Sequence, residues 1–166
     1  MPLFRPKEII PRFDSFDIKK YANMGFNAIL IDIDNTIAVP DTELIASNEA
    51  NEFINDLKQN GFKVILMSNN TYRRVKPYAQ SANADFNCWS FKPFPFSYIY
   101  VLKKYNLDRK KVISFGDQLI TDCLGANIVG IYPVYVKQLM RKDKRLTRIN
   151  RFLERFIFKY LLHEKM

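Results

Sequence analysis

Two carboxylates separated by one residue, Asp32 and Asp34, follow the apolar run Ala28-Ile29-Leu30-Ile31, and Asn35-Thr36 comes directly after them. Alternate residues of an extended chain project to the same side, so both acids can face one site. Close carboxylates repel unless a cation offsets them or one of them holds a proton. A bound Mg²⁺, with an acid/base role for one carboxylate, would account for the pair. The plain alternative is a strand running into an Asx-rich turn, since Asp and Asn are common turn residues. Further polar groups recur down the chain: Ser68-Asn69-Asn70, then Lys92-Pro93, then Gly116-Asp117 with Asp122 five residues beyond Asp117.

The elements that must hold these residues are legible as apolar runs. Residues 28–34 read as a strand buried on both faces of a parallel sheet. Lys63 to Met67, Asp85 to Trp89, Lys111 to Phe115 and Ile131 to Val136 read as four more strands. Helices are expected over Asp17 to Met24, Tyr72 to Ser81, Pro95 to Tyr105 and Leu119 to Asn127. Another follows a cap at Thr42 or Ser47, with Leu44, Ala50, Phe53, Ile54 and Leu57 on its apolar face and Gly61 at its end. The β-α alternation predicts an α/β fold: a Rossmann-like three-layer αβα sandwich with a mainly parallel, five-stranded sheet. Each polar group then falls at the carboxyl edge of a strand, where open α/β sheets place their ligands. The connections between the first three strands leave no room for a cap domain.

The chain of 166 residues suits one domain over 1–166, with residues 1–24 as an N-terminal arm and helix and 141–166 as a basic amphipathic helix. The formal charge of +9 favours anionic partners. From Lys137 onward ten basic residues face three acids, so +7 of that charge lies in the tail. Cys88 and Cys123 have no CxxC spacing, which excludes a disulfide framework or a zinc site and suits a reducing, cytoplasmic setting. Both read as packing residues. The start is broken by Pro2, Pro6 and Pro11 and does not resemble a secretory signal. No run approaches the roughly 18 apolar residues of a transmembrane helix.

The ordered set Asp32-Ile33-Asp34-Asn35-Thr36, Ser68-Asn69-Asn70, Lys92-Pro93 and Gly116-Asp117-Gln118-Leu119-Ile120-Thr121-Asp122 resembles the four motifs of the haloacid dehalogenase phosphatase superfamily. The resemblance is to its capless subclass IIIA, and there to the YqeG-like family, which includes phosphatidylglycerophosphate phosphatases. It implies that Asp32 is a nucleophile forming an aspartyl-phosphate and that Asp34 is the general acid and base. It implies Mg²⁺ as cofactor, held by the Asp32 carboxylate, the Asp34 main-chain carbonyl and Asp117, with Asp122 behind these ligands or bound through water. Ser68 and the Asn69 amide would hold phosphoryl oxygens, and Lys92 would neutralise phosphate and nucleophile together. Asn35 and Thr36 are expected to shape the loop. Arg73, Arg74 and Lys76 read as a solvated helix face or as contacts to a second anionic group. His163, the only histidine, reads as a surface residue.

In the tail Arg141, Arg145, Arg148, Arg151, Arg155 and Lys159 form a basic stripe. Ile149, Leu153, Phe156, Ile157, Tyr160 and Leu161 lie off it. Such a helix suits an anionic membrane surface, which would make the protein peripheral on the inner face of the membrane. It equally suits a helix docked on the sheet with a solvated basic face. The implied substrate is a phosphomonoester, with phosphatidylglycerophosphate first. The alternatives are a soluble small molecule or phosphoprotein, or a basic nucleic-acid- or ribosome-associated binding protein; no recognised module predicts specific nucleic acid.

Overall fold

The computed structural model describes residues 2–40, 42–140, 156, 157 and 159. Six strands form one sheet: β1 (Glu8–Ile10), β2 (Ala28–Ile31), β3 (Lys63–Met67), β4 (Asp85–Asn87), β5 (Val112–Gly116) and β6 (Tyr132–Val136). Their order is β1-β6-β5-β2-β3-β4, and every neighbouring pair is parallel. The connecting helices are α1 (Ile18–Asn23), α2 (Asn48–Gln59), α3 (Tyr72–Ser81), α4 (Pro95–Lys104) and α5 (Leu124–Val129).

β2 is central and buried at all its residues, as an Ile-rich run without alternation requires. From it the chain steps outward through β3 and β4 on one side, then returns to lay β5 and β6 on the other. The β2–β5 boundary is thus the switch point of the sheet, where loops diverge and open a crevice at the carboxyl edge. The sheet's side chains divide between two cores. Ile29, Ile31 and Leu66 pack with the apolar faces of α2 and α3, while Leu30, Ile65 and Met67 pack with Tyr98 and Val101 of α4 and Ala126 of α5. Helices therefore cover both faces. Among the described residues no insertion forms a cap.

The sheet has six strands where five are expected from sequence. β1 is the addition, and it lies within the arm. It is three residues long, sits between Pro6 and Pro11, and pairs only at the edge with β6. A short edge strand bounded by prolines carries no periodic signal. The arm is fastened by aromatic contacts as well: Phe16 lies 5.3 Å from Phe115 edge-on and stacks on Tyr21 at 4.7 Å. Of the arm's apolar residues, Ile10 and Phe13 are buried whereas Leu3 and Ile9 are exposed. Ser47, not Thr42, caps α2, its hydroxyl accepting from the Ala50 amide at 3.2 Å. Leu44 lies outside that helix and is exposed. Cys123 is buried; Cys88 is only partly so. The basic stripe of the tail lies outside the described residues except for Lys159, which is exposed. Ile157 is buried against Leu119, Cys123 and Tyr135, so at this residue the tail packs on the core, while Phe156 is exposed.

Candidate active site

β2 ends at Ile31, and the next residue still bonds across to β5, the Asp32 amide donating to Phe115 O at 2.9 Å. The chain then turns sharply: the amides of Thr36, Ile37 and Ala38 all donate to Ile33 O. Asn35 sits in the left-handed region at φ 68°, a conformation that Asn tolerates better than most residues. Its side chain is held at both ends, donating to Met140 O at 3.0 Å and accepting from the Met140 amide at 2.8 Å. Asn35 thus shapes the loop, as expected, and ties it to the segment after β6.

Lys92 is the hub of the site. Its buried ammonium donates to Asp32 Oδ1 and to Asp122 Oδ1, each at 2.7 Å. The lysine is itself positioned through its backbone by Asn69, whose side chain accepts from the Lys92 amide at 2.7 Å and donates to Lys92 O at 3.0 Å. Ser68 is buried, and its hydroxyl accepts from the Asn70 amide at 3.1 Å. These two residues directly follow β3, so the second motif holds the third in place.

The Asp34 carboxylate is gripped from the opposite side. Arg74 of α3 donates to one oxygen at 2.7 Å, and Asn70 donates to the other at 2.9 Å. Arg74 is buried, lies 5.6 Å from the centroid of the Tyr78 ring, and among the described residues its Nε and Nη1 have no hydrogen-bond partner. It is not a solvated helix residue. Thr36 also does more than shape a loop: its buried hydroxyl lies 3.4 Å from both Asp32 Oδ2 and Asp117 Oδ1. Helical spacing could have placed Arg74 on the inner face with Val75 and Tyr78.

Asp32, Asp117 and Asp122 are all buried, and one carboxylate oxygen from each lies within 4.8 Å of the others. Lys92 is the cation that bonds two of them. The donors are hard oxygens and carry more negative charge than one ammonium offsets, so the set fits a divalent cation. Both oxygens of Asp122 are engaged, the first by Lys92. Its second oxygen accepts from the Gln118 amide at 3.1 Å and the Thr121 hydroxyl at 3.2 Å.

Burial pushes the Asp32 carboxyl up to about 7, with Lys92 opposing and Asp122 adding to the rise. The Lys92 ammonium is held above the ordinary lysine range by Asp122 and Asp32, against the opposing effect of its burial. Because Asp32 binds its proton more tightly folded than unfolded, its contribution to stability is present in acid and is lost as pH rises through about 7. Metal-free protein is therefore expected to melt lower at pH 8 than at pH 5 by more than Asp32→Asn does, since the amide does not titrate. Melting curves in EDTA at the two pH values check this. An equal fall in both proteins would remove Asp32 as the cause.

Asp122 reaches Lys92 because of an unusual turn. Leu119–Cys123 forms a π-turn before α5, with the Cys123 amide donating to Gln118 O. This folds the Asp122 carboxylate over Gly116, the last residue of β5. A Cβ on Gly116 would lie 2.3 Å from Asp122 Cγ and 2.4 Å from Oδ2. Gly116→Ala must push the carboxylate off Lys92. We expect a loss of about 1–3 kcal/mol in stability, in the range of other overpacking changes, and a fall in turnover of at least about tenfold. Thermal melts and steady-state rates test it; wild-type values for both would show that Asp122 is not confined as described.

The comparisons with known proteins agree with this arrangement. The model of the haloacid dehalogenase-like hydrolase family matches residues 38–130, from just past the first acidic pair to the end of α5. The "Probable phosphatase YqeG" of Bacillus subtilis (strain 168) is 30% identical over 158 residues, which cover 95% of this chain and 91% of that protein. Among solved structures, an uncharacterized protein from Listeria monocytogenes serotype 4b has a TM-score of 0.57 at 17% identity, over 78% of this chain and 97% of that one. The cobalt-bound deoxy-D-mannose-octulosonate 8-phosphate phosphatase of Haemophilus influenzae has a TM-score of 0.55 at 11% identity, over 70% of each chain. These two likenesses carry the fold alone. With a family model over more than half its length and a relative along nearly all of it, the chain belongs to the haloacid dehalogenase-like hydrolase family, among its phosphatases.

Proposed function

We propose that this phosphatase is Mg²⁺-dependent, hydrolyses phosphomonoesters through an aspartyl-phosphate on Asp32, and takes a lipid-borne substrate, phosphatidylglycerophosphate. The observation that carries the mechanism is the buried bridge of Lys92 between Asp32 and Asp122, with Asp117 converging on them. Mg²⁺, held by the Asp32 and Asp117 carboxylates and the Asp34 main-chain carbonyl, would screen the anionic nucleophile from the anionic phosphate. An Asp32 oxygen attacks phosphorus and the bond to the ester oxygen breaks. Asp34 gives that oxygen its proton, then takes one from the water that opens the aspartyl-phosphate. Arg74 and Asn70 orient Asp34 for both transfers. Lys92 draws negative charge from the nucleophile and the transferring phosphoryl group. Asp122 fixes Lys92, and Ser68 with the Asn69 amide receives phosphoryl oxygens.

The lipid assignment rests on the motif resemblance to a family that includes phosphatidylglycerophosphate phosphatases, on the net charge of +9 and on the site's lack of a cap among the described residues. In this reading residues 1–166 form one catalytic domain. The basic tail from about Arg141 brings it to the inner face of a membrane, with Ile157 as a point of attachment to the core. No helix of the described residues is long and apolar enough to cross a membrane.

The test is phosphate release from a panel that sets phosphatidylglycerophosphate beside sugar phosphates, nucleotides and a phosphopeptide. The lipid should be the fastest substrate, and a faster soluble one would replace it. Asp34→Asn, run on the same panel, should slow alkyl phosphates by about 10²–10⁴-fold. It should slow the first step of p-nitrophenyl phosphate much less, because that leaving group needs no proton. Full activity of Asp34→Asn on an alkyl phosphate would cancel the acid/base assignment.

A further inference from the structure

The loop from β4 to α4 carries Lys92 into the site, and its other side faces out. Ser90 is fully buried, its hydroxyl donating to Asn87 O at 3.0 Å and its amide to Ser68 O at 3.1 Å. With Ser90 and Lys92 anchored inward, Trp89 and Phe91 are turned outward and stack with ring centroids 6.4 Å apart. Both have positive φ, 50° and 48°, which costs bulky residues backbone energy. Trp89 is 52% exposed and Phe91 64%. Phe94 and then Phe96, which is 77% exposed, extend the surface into α4.

α4 is amphipathic in an unusual sense. Tyr98 and Val101 fill the core, while Phe96, Ile99 and Tyr100 form a second apolar stripe that faces out and ends at the exposed Lys103 and Lys104. Six large apolar side chains are therefore exposed within twelve residues that flank the buried hub of the site. Burying them is worth far more than leaving them in water. From Trp89 to Lys104 the sequence has no acid, and its charges are the three lysines.

We propose that Trp89, Phe91, Phe94, Phe96, Ile99 and Tyr100 form a face that inserts into the headgroup region of an anionic membrane. Trp and Tyr rings favour that depth, and exposed lysines beside them favour anionic lipid. The lack of acids across the face removes the repulsion that an anionic surface would otherwise meet. The geometry also serves the chemistry: the segment that touches the membrane is the one that carries Lys92, so a phosphate at a lipid headgroup meets the site without leaving the interface. For that last step the inference rests on the lipid substrate proposed above. The insertion itself does not require it.

Trp89 is the only tryptophan of the chain, so its emission reports on this face alone. Vesicles of phosphatidylglycerol and phosphatidylcholine should shift it to the blue, and brominated lipid should quench it. Phe96→Gln with Ile99→Gln should weaken vesicle partition by about 10-fold or more, from the loss of two inserted apolar side chains, while turnover of soluble p-nitrophenyl phosphate is unchanged. Vesicle binding without any change in Trp89 emission would assign the contact to the basic tail and overturn the proposal. So would a wild-type dimer, seen by sedimentation, that the double substitution converts to monomer, because a second copy would then cover the face. Insertion of Trp89 without hydrolysis of the lipid substrate would keep this face and remove the lipid from the proposed function. Hydrolysis of the lipid with unshifted emission would do the reverse.

Discussion

Asp32→Asn is expected to reduce phosphate release by on the order of 10⁴-fold or more while leaving the fold intact. The substitution is nearly isosteric, and the environment of Asp32 is built to tolerate a neutral side chain there. Lys92 keeps its bond to Asp122, and the Asp32 amide keeps its bond to β5. Burial already raises the carboxyl to about 7, so the neutral form is the one the metal-free protein holds through the acid range. An amide cannot attack phosphorus at a useful rate, and it is a weaker ligand for a hard cation. Activity and metal affinity should therefore fall together, whereas melting temperature in EDTA should not fall. Excess EDTA should stop the wild-type enzyme just as completely, because the nucleophile then faces the phosphate with too little positive charge between them. Phosphate release that survives either treatment would sink the mechanism.

The arrangement that makes this expectation specific is partly written in the chain. Apolar runs announce β2 and β3, because strands buried on both faces must be largely apolar, and β5 reads the same way with Ser114 as its one polar interruption. Polar residues placed just after those runs announce one edge of the sheet, since parallel strands all end there. Asp32, Lys92, Asp117 and Asp122 are gathered on that logic from the sequence alone. Their partners are not. Arg74 and Arg73 are adjacent and chemically alike, and helical spacing that puts Arg74 on the face of Val75 and Tyr78 does not show that it reaches Asp34. The role of Asn69 also depends on distance along the chain, since it grips a backbone 23 residues away. The π-turn that folds Asp122 back over Gly116 leaves no periodic signature at all. The outward aromatics of α4 are hidden for a related reason. An apolar stripe in sequence reads as core, and which of two stripes faces the sheet is decided by the neighbours.

Lys92→Met carries the second large effect, and it separates charge from shape. The methionine fills the same volume without the ammonium, so Asp32 and Asp122 lose the cation that both bond in the wild type. Removing one partner of a buried ion pair typically costs about 3–5 kcal/mol, because the remaining charge is left uncompensated. Here two carboxylates are left, and Asp32 has an escape, since burial already favours its protonated form. The deficit should therefore be smaller near pH 5, where protonation of Asp32 relieves part of it, and should grow as the pH rises through about 7 and Asp32 is forced to ionise. Lys92 itself contributes no slope in this range. Its pKa is raised above the ordinary lysine value, so its contribution to stability is complete below about 10 and is lost only in stronger alkali. A divalent cation offers the same pair of acids a substitute charge. Adding Mg²⁺ should thus raise the melting temperature of Lys92→Met by more than that of the wild type, while turnover stays at least about 10³-fold down, because the metal cannot restore the ammonium that faces the phosphoryl group. Thermal melts at pH 5 and pH 8, with and without Mg²⁺, read the electrostatic part; p-nitrophenyl phosphate hydrolysis reads the catalytic part. A stability deficit equal at both pH values would mean that Lys92 holds the site by packing alone, and turnover near the wild-type rate would remove it from the chemistry.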